Sequence, residues 1–251
     1  MRRETQNILL VLLGGALLKI AINGDYLRYV KPAQQPWVIG GGAVMLALGV
    51  LAVLRDLLAA REAARAEATS AGGGAVTPGT HEHHHPARSA WLLLVPVLAV
   101  FLVAPPALGS DSVVRTEARA PQTAAGRDAA MFPPLPPGEV VPMRVTDFVT
   151  RAGWDGNHTL DGRTVSLSGF VVHSGGSTML ARMVISCCAA DAYPVTVRLS
   201  GEAAARYPSD SWVEAIGRVV PGTATERNRY TPDLTVATVR PLKAPGDPYE
   251  Y

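Results

Sequence analysis

Three long apolar runs dominate the first 108 residues of the chain, and charged positions are scarce within them. The runs fit residues 7–27, 37–54 and 90–108. A hydrocarbon layer of about 30 Å needs roughly 20 residues of helix, so each run approaches or reaches the length of a membrane span. The pattern therefore predicts an α-helical transmembrane region of three spans over residues 1–108.

Small residues in the second run predict how its helix packs. Glycine lets two helices approach closely inside a membrane, where tight packing replaces the hydrophobic effect as the driving force. The second run contains Gly40, Gly41, Gly42 and Gly49. We therefore expect this helix to lie close against a neighbouring span.

Basic residues beside the runs predict the orientation of the chain. One side has six of them and the other side four: Arg2, Arg3, Arg55, Arg61, Arg65 and Arg88 against Arg28, Lys31, Arg115 and Arg119. The side richer in basic residues is expected to be cytoplasmic. Three crossings would then place the C-terminal domain of this multi-pass cell-membrane protein outside the cytoplasm.

Two polar segments flank the third run. Residues 55–89 form an inner loop that carries a histidine tract, with His81, His83, His84 and His85. Neutral imidazoles in a flexible segment can chelate a transition metal with modest selectivity, so these four are weak candidate ligands. Residues 109–139 are a proline-rich linker, predicted to be an extended spacer.

From residue 140 to about residue 245 the pattern changes to short alternating segments. Period-two alternation predicts five strands, at residues 163–172, 178–187, 195–200, 212–220 and 234–240. A short helix over residues 147–152 is expected, with Thr146 as its N-cap. Five short strands in a segment of about 100 residues fit a small OB-like barrel. The fold class is thus a transmembrane helical region followed by a soluble, mainly-β domain.

Composition narrows the function classes. The net charge is +2, which is too small to indicate binding to nucleic acid. The sequence contains no nucleophilic triad, no phosphate-binding glycine loop and no carboxylate pair at catalytic spacing. We therefore predict that the protein is not an enzyme.

The two cysteines, Cys187 and Cys188, are adjacent and are followed by small residues and Asp191. Successive side chains of a strand point to opposite faces, so both thiols can face one site only where the strand ends. Two thiolates and a carboxylate suit zinc or another transition metal, and His173 is a further candidate ligand. We predict a metal site at this turn.

Two other interpretations of the cysteine pair stay open. Free cysteine is among the most buried residues, so the pair could simply pack as small hydrophobes. The two thiols could also form and break a vicinal disulfide, which would make the chain a membrane-tethered thiol redox protein.

Two short blocks of the C-terminal domain carry a family resemblance. They are Gly169-Phe170-Val171 and Arg182-Met-Val-Ile185-Ser-Cys187-Cys188-Ala-Ala190-Asp191-Ala192. Together with the N-terminal spans and the histidine-containing loop, they make the chain resemble a family of uncharacterised bacterial membrane proteins described as permease subunits. The resemblance implies a polytopic permease-like partner and a two-component transporter.

These observations predict an accessory subunit of a membrane permease, in contact with membrane lipid and with the polytopic partner. Its domain outside the cytoplasm is expected to bind a metal ion or a metal-linked ligand. A thiol redox protein and a non-catalytic interaction module are the alternatives.

Overall fold

The computed structural model describes residues 3–70, 94–103, 106–116, 118 and 132–251. The predicted histidine ligands His81, His83, His84 and His85 lie outside the described residues. The chain divides into two units, one made of Met1–Tyr26 and Ala33–Pro105 and the other of Leu27–Pro32 and Pro106–Tyr251. The first unit is helical, and the second is built on a sheet.

Helices α1 (Arg3–Asn23), α2 (Gln35–Ser70) and α3 (Leu94–Leu102) form the first unit. Two stretches, Gln6–Asn23 and Pro32–Ala66, are long and apolar enough to cross a membrane. Only 17% and 11% of the residues in their most apolar 18-residue stretches are buried, whereas a core helix of a soluble protein is mostly buried. In the described part of the chain, the third predicted span contains a helix of nine residues.

Glycine permits close packing between α1 and α2. A Cβ at Gly42 would lie 3.1 Å from the carbonyl oxygen of Gly14, and one at Gly49 would lie 2.7 Å from Val11 Cγ2. A Cβ at Gly40 or Gly41 would meet nothing within 4 Å. Close packing is therefore confirmed at two of the four predicted glycines, because only those two face the neighbouring helix.

The second unit is mainly β, as the alternating pattern predicts. Its strands are β1 (Val140–Met143), β2 (Thr164–Ser174), β3 (Ser177–Val184), β4 (Tyr193–Ser200), β5 (Trp212–Val220), β6 (Asp233–Pro241) and β7 (Tyr249–Glu250). The five predicted strands correspond to β2–β6. Strands β1 and β7 are too short, at four and two residues, to show an alternating pattern.

Strand pairing runs in the order β1-β2-β5-β6-β4-β3-β7, with a further pairing of β2 with β3. Each of β2–β6 therefore has two neighbours among these five strands. The β4–β6 pair is parallel, whereas the β2–β3, β2–β5, β3–β4 and β5–β6 pairs are antiparallel. Gly169 in β2 allows a close approach, because a Cβ there would lie 2.6 Å from the carbonyl oxygen of Ala181 in β3.

In the described residues of this unit, three α-helices accompany the sheet: α4 (Ser110–Arg115), α5 (Val145–Trp154) and α6 (Glu202–Ala205). Helix α5 buries Phe148 and Val149 in the main apolar core with Leu167 and Leu180. Its N-cap is Arg144, two residues before the predicted N-cap Thr146. The α5 helix is thereby fixed to the strand that leads to the cysteines.

Described parts of the predicted linker over residues 109–139 belong to the second unit and pack on its β domain. Val113 and Phe132 are buried. The Ser110 N–H donates to the Asp210 carboxylate at 2.6 Å, and Arg151 donates to the Pro133 carbonyl at 2.9 Å. These buried side chains and hydrogen bonds attach the described parts of the linker to the domain. They therefore do not form a free spacer.

Candidate metal centre

The cysteine turn begins where β3 ends. Val184 and Ile185 are the last buried residues of this segment, and Ser186 and Cys187 are exposed. A 3-10 turn, Ala189–Asp191, then reverses the chain toward β4. Because regular strand geometry stops before Cys187, the two adjacent thiols are not forced onto opposite faces.

The Asp191 carboxylate fixes the backbone of this turn. It accepts hydrogen bonds from the N–H groups of Ser186 at 2.8 Å, Cys187 at 2.8 Å and Cys188 at 3.4 Å. The Asp191 N–H in turn donates to the Cys188 carbonyl at 3.1 Å. The side chain of Asp191 therefore acts as the structural centre of the turn as well as a candidate ligand.

Three candidate ligand atoms converge at the turn. The Cys187 and Cys188 sulfurs lie 3.6 Å apart, and both sulfurs and an Asp191 carboxylate oxygen lie within 4.8 Å of one another. Two sulfurs and one oxygen form a donor set for zinc or another borderline or soft cation. Cys187, Cys188 and Asp191 could hold a metal ion.

Charge within the turn shifts two pKa values in opposite directions. The Asp191 carboxylate, and next the Cys188 thiol, raise the pKa of Cys187 to about 11. Partial desolvation by itself would raise the pKa of Asp191, but the Cys187 thiol and the backbone N–H groups outweigh it and lower that pKa. The turn therefore carries a carboxylate beside a protonated thiol at neutral pH, and a bound cation would have to displace the thiol proton.

Residues 29–31, which belong to the same unit, pair with the backbone of the cysteine turn. Val30 and Cys188 form an antiparallel β-bridge. The Ala189 N–H donates to the Tyr29 carbonyl at 2.7 Å, and the Lys31 N–H donates to the Cys187 carbonyl at 3.4 Å. The backbone on both sides of the two thiols is thus paired with the segment that joins α1 to α2 in the sequence.

Tyr249 forms hydrogen bonds with the residue that precedes this segment and with the chain at Leu108. Its hydroxyl donates to the Arg28 carbonyl at 2.9 Å and accepts from the Leu108 N–H at 3.2 Å. Burial raises the pKa of Tyr249, so its hydroxyl stays protonated and can donate. The sequence pattern gives no indication of Tyr249, because it lies beyond the predicted end of the domain at residue 245.

The structure does not bring His173 to this turn. Its ring nitrogens lie 2.8 Å from the Tyr207 carbonyl oxygen and 3.2 Å from the Thr178 hydroxyl. His173 pairs with Thr178 near the start of β3, whereas the cysteines follow the end of β3. Among the residues that the structure describes, the only cluster of metal-ligand type is Cys187, Cys188 and Asp191.

The domain that carries this turn has a recognisable family signature. Residues 156–251 match the DUF1980 C-terminal domain. The matched range includes β2–β7 and all three residues of the candidate metal centre. The match agrees with the resemblance to an uncharacterised family for this part of the chain. No curated protein and no solved structure matches the chain.

Proposed function

We propose that the chain is an accessory subunit of a membrane permease, and that its β domain binds a transition-metal ion such as zinc. The observation that carries the proposal is the convergence of the Cys187 and Cys188 sulfurs and an Asp191 oxygen within 4.8 Å. The metal is bound alone or as part of a metal-linked ligand.

The ligand count favours exchange of the metal over a purely structural role. A structural zinc site is usually closed by four protein ligands, whereas a site with three keeps a position open. The described cluster offers three ligands, and Cys187 and Asp191 are exposed. An incoming ligand or a residue of the partner can occupy the remaining position, as transfer of a cation requires.

Pairing of residues 29–31 with the turn supports a role in a membrane assembly. Metal binding changes the charge beside Cys187 and Cys188, whose backbone groups are bound to Lys31 and paired with Val30. Residues 29–31 are continuous in sequence with both long apolar helices. A change at the cation site can thereby reach the chain that connects the two helices.

The finer architecture belongs to the same proposal. The closed cycle of pairings among β2–β6 supports an OB-like barrel. The apolar composition of residues 90–108 supports a third span, and the basic residues support a domain outside the cytoplasm. A few apolar helices are too few for a polar pathway, so a polytopic permease partner would supply the conduit.

Zinc analysis of the full chain tests the metal site. The chain is purified in detergent with reductant, in a background with His81, His83, His84 and His85 changed to alanine, and dialysed against zinc. We expect about one zinc ion per chain, and close to none after Cys187→Ser/Cys188→Ser, because zinc coordination depends on the thiolates.

Ser186→Ala is the matched control, because it alters a neighbouring exposed side chain without removing a candidate ligand. It should leave the zinc content unchanged. Equal zinc contents in the histidine-free background and in its double-serine variant would refute the metal site.

A thiol redox protein is the second candidate, favoured by the 3.6 Å separation of the two sulfurs. The raised pKa of Cys187 argues against it, because the thiolate is the attacking species in thiol–disulfide exchange. Thiol labelling of intact cells with and without reductant separates the candidates. Metal binding predicts equal labelling in both samples once a chelator is present, whereas labelling that requires reductant supports the redox protein.

A further inference from the structure

A proline-rich segment lies on the surface of the β domain, with the sequence Phe132-Pro-Pro-Leu-Pro-Pro-Gly138. It belongs to no helix or strand. A proline ring fixes φ at about −65°, and the residue before a proline is restricted to extended ψ values. Every residue from Phe132 to Pro137 is a proline or precedes one. The segment is therefore a short polyproline II helix, which rises about 3 Å per residue.

Burial along this helix repeats every three residues. Phe132 is buried, and Leu135 is half-buried against the main apolar core, whereas the four prolines are exposed. A polyproline II helix has three residues per turn, so side chains three residues apart share one row. Phe132 and Leu135 therefore form an inner row. The two outer rows consist of prolines, Pro133 with Pro136 and Pro134 with Pro137.

Two arginines of the domain bind the backbone of this helix. Arg151 of α5 donates to the Pro133 carbonyl at 2.9 Å. Arg163 donates to the Pro136 carbonyl at 2.8 Å and to the Gly138 carbonyl at 3.3 Å. A polyproline II helix has no internal hydrogen bonds, so contacts of this kind fix its position. The outer rows are thus ordered before any partner binds, which reduces the entropic cost of binding.

An acidic residue lies at the end of the outer proline rows. Glu139 directly follows Gly138 and is exposed. In the part of the chain that the structure describes, Glu139 takes part in no hydrogen bond or ion pair. Its carboxylate therefore adds an uncompensated negative charge beside a rigid apolar surface.

We propose that the two outer proline rows, residues 133–137, are a docking site for a partner protein whose groove is lined by aromatic side chains and has a basic residue at one end. Segments with the spacing Pro-x-x-Pro dock in such grooves because a preformed polyproline II helix loses little entropy on binding. Both outer rows have this spacing. Glu139 supplies the charge that the basic residue complements. None of these residues belongs to the cysteine turn, so the docking site is independent of the metal centre.

Site-specific photocrosslinking in native membranes tests the docking site. The full chain carries photoreactive benzoylphenylalanine in place of Val140, which is 41% exposed and adjoins Glu139 without belonging to the proline rows. The crosslinked peptides are identified by mass spectrometry after illumination. We expect one protein product, crosslinked beside tryptophan or tyrosine and beside lysine or arginine.

Affinity measurements then show whether the prolines carry the binding. The crosslinked protein is purified, and its affinity for full-chain variants in detergent is measured by calorimetry. Pro134→Ala/Pro137→Ala removes one outer row and should weaken binding about tenfold, as expected when side chains that fill a partner's pocket are truncated. Glu139→Gln should weaken it about threefold, as for loss of an exposed charge pair.

Pro245→Ala is the matched control, because Pro245 is also an exposed proline outside the helices and strands. It should leave the affinity unchanged. All these variants alter exposed side chains, so their unfolding midpoints should equal that of the unaltered chain. Crosslinking only to lipid or to a second copy of this chain, or no crosslinked product, would overturn the proposal. Equal affinities of the double-alanine variant and the control would overturn it as well.

Discussion

Replacing Glu250 with glutamine is expected to lower the free energy of unfolding of the β domain by about 3–5 kcal/mol, the usual cost of breaking a buried ion pair from one side. Glu250 is 5% exposed, and its carboxylate lies 3.5 Å from the Arg182 guanidinium. It also accepts hydrogen bonds from the N–H groups of Val145 at 3.0 Å and Thr146 at 2.9 Å, and from the Thr146 hydroxyl. One carboxylate thus caps α5 and balances a buried arginine.

Chemical unfolding of the full chain in detergent, followed by tryptophan fluorescence, measures the loss. Asp147→Asn is the matched control, because it also changes a carboxylate to an amide within an arginine pair. The Arg144–Asp147 pair is 2.8 Å long but solvent-exposed, so the control should cost about 0–1 kcal/mol. Equal effects of the two substitutions would contradict the assigned role of Glu250.

A second variant distinguishes the effect of the unbalanced charge on stability from the effect of losing the helix cap. In Arg182→Met/Glu250→Gln the unbalanced buried cation is absent, so part of the stability lost in Glu250→Gln should return. Arg182 is 8% exposed and lies 4.8 Å over the Trp212 ring, a position that methionine can fill. If the double variant is no more stable than Glu250→Gln, loss of the cap alone explains the effect.

Alkylation of Cys187 at neutral pH should be roughly tenfold slower than that of an ordinary cysteine. Its pKa is raised from 9.0 to about 11, first by Asp191, so the thiolate fraction at pH 7 falls about a hundredfold. Greater intrinsic nucleophilicity of a weakly acidic thiol recovers part of that loss. A raised pKa keeps the thiol protonated over a wider range, so the rate should keep rising as the pH increases toward 11.

The measurement follows iodoacetamide modification of the reduced, metal-free full chain by mass spectrometry, with fragmentation of the labelled peptide to separate Cys187 from Cys188. Asp191→Asn should accelerate the reaction and lower its midpoint. Its single amide oxygen can still accept one of the two N–H groups, from Ser186 or from Cys187, which now bind separate carboxylate oxygens, so part of the hydrogen bonding of the turn is retained. A midpoint below pH 9 with Asp191 present would show that the carboxylate does not control this thiol.

Local sequence pattern was sufficient to predict β2–β6 and the turn at the cysteines. Alternation identifies a half-buried strand wherever neighbouring strands happen to lie, and the small residues before Asp191 permit a tight turn. The pairing of residues 29–31 with Cys188 lies outside such reasoning, because it joins positions more than 150 residues apart. The role of Glu250 was not predicted because its partners Val145, Thr146 and Arg182 are also distant from it in the sequence.

His173 shows how topology decides ligand sets. The end of β2 and the cysteine segment both carry chemically suitable side chains, but β2 and β3 form an antiparallel hairpin. The end of β2 must then lie beside the start of β3, while Cys187 follows the end of β3. The pairing of the two strands thus separates His173 from the cysteines, which spacing along the sequence alone does not reveal.

The bridge between Val30 and Cys188 has a practical consequence for biochemical work on this protein. A truncated version that begins after the helices lacks residues 29–31, and the Cys187 carbonyl and the Ala189 N–H then lose their partners and face water. We expect the cysteine turn to be less ordered in such a fragment, because two backbone groups beside the cation site are left unpaired. Supplying residues 27–32 as a synthetic peptide should restore these contacts.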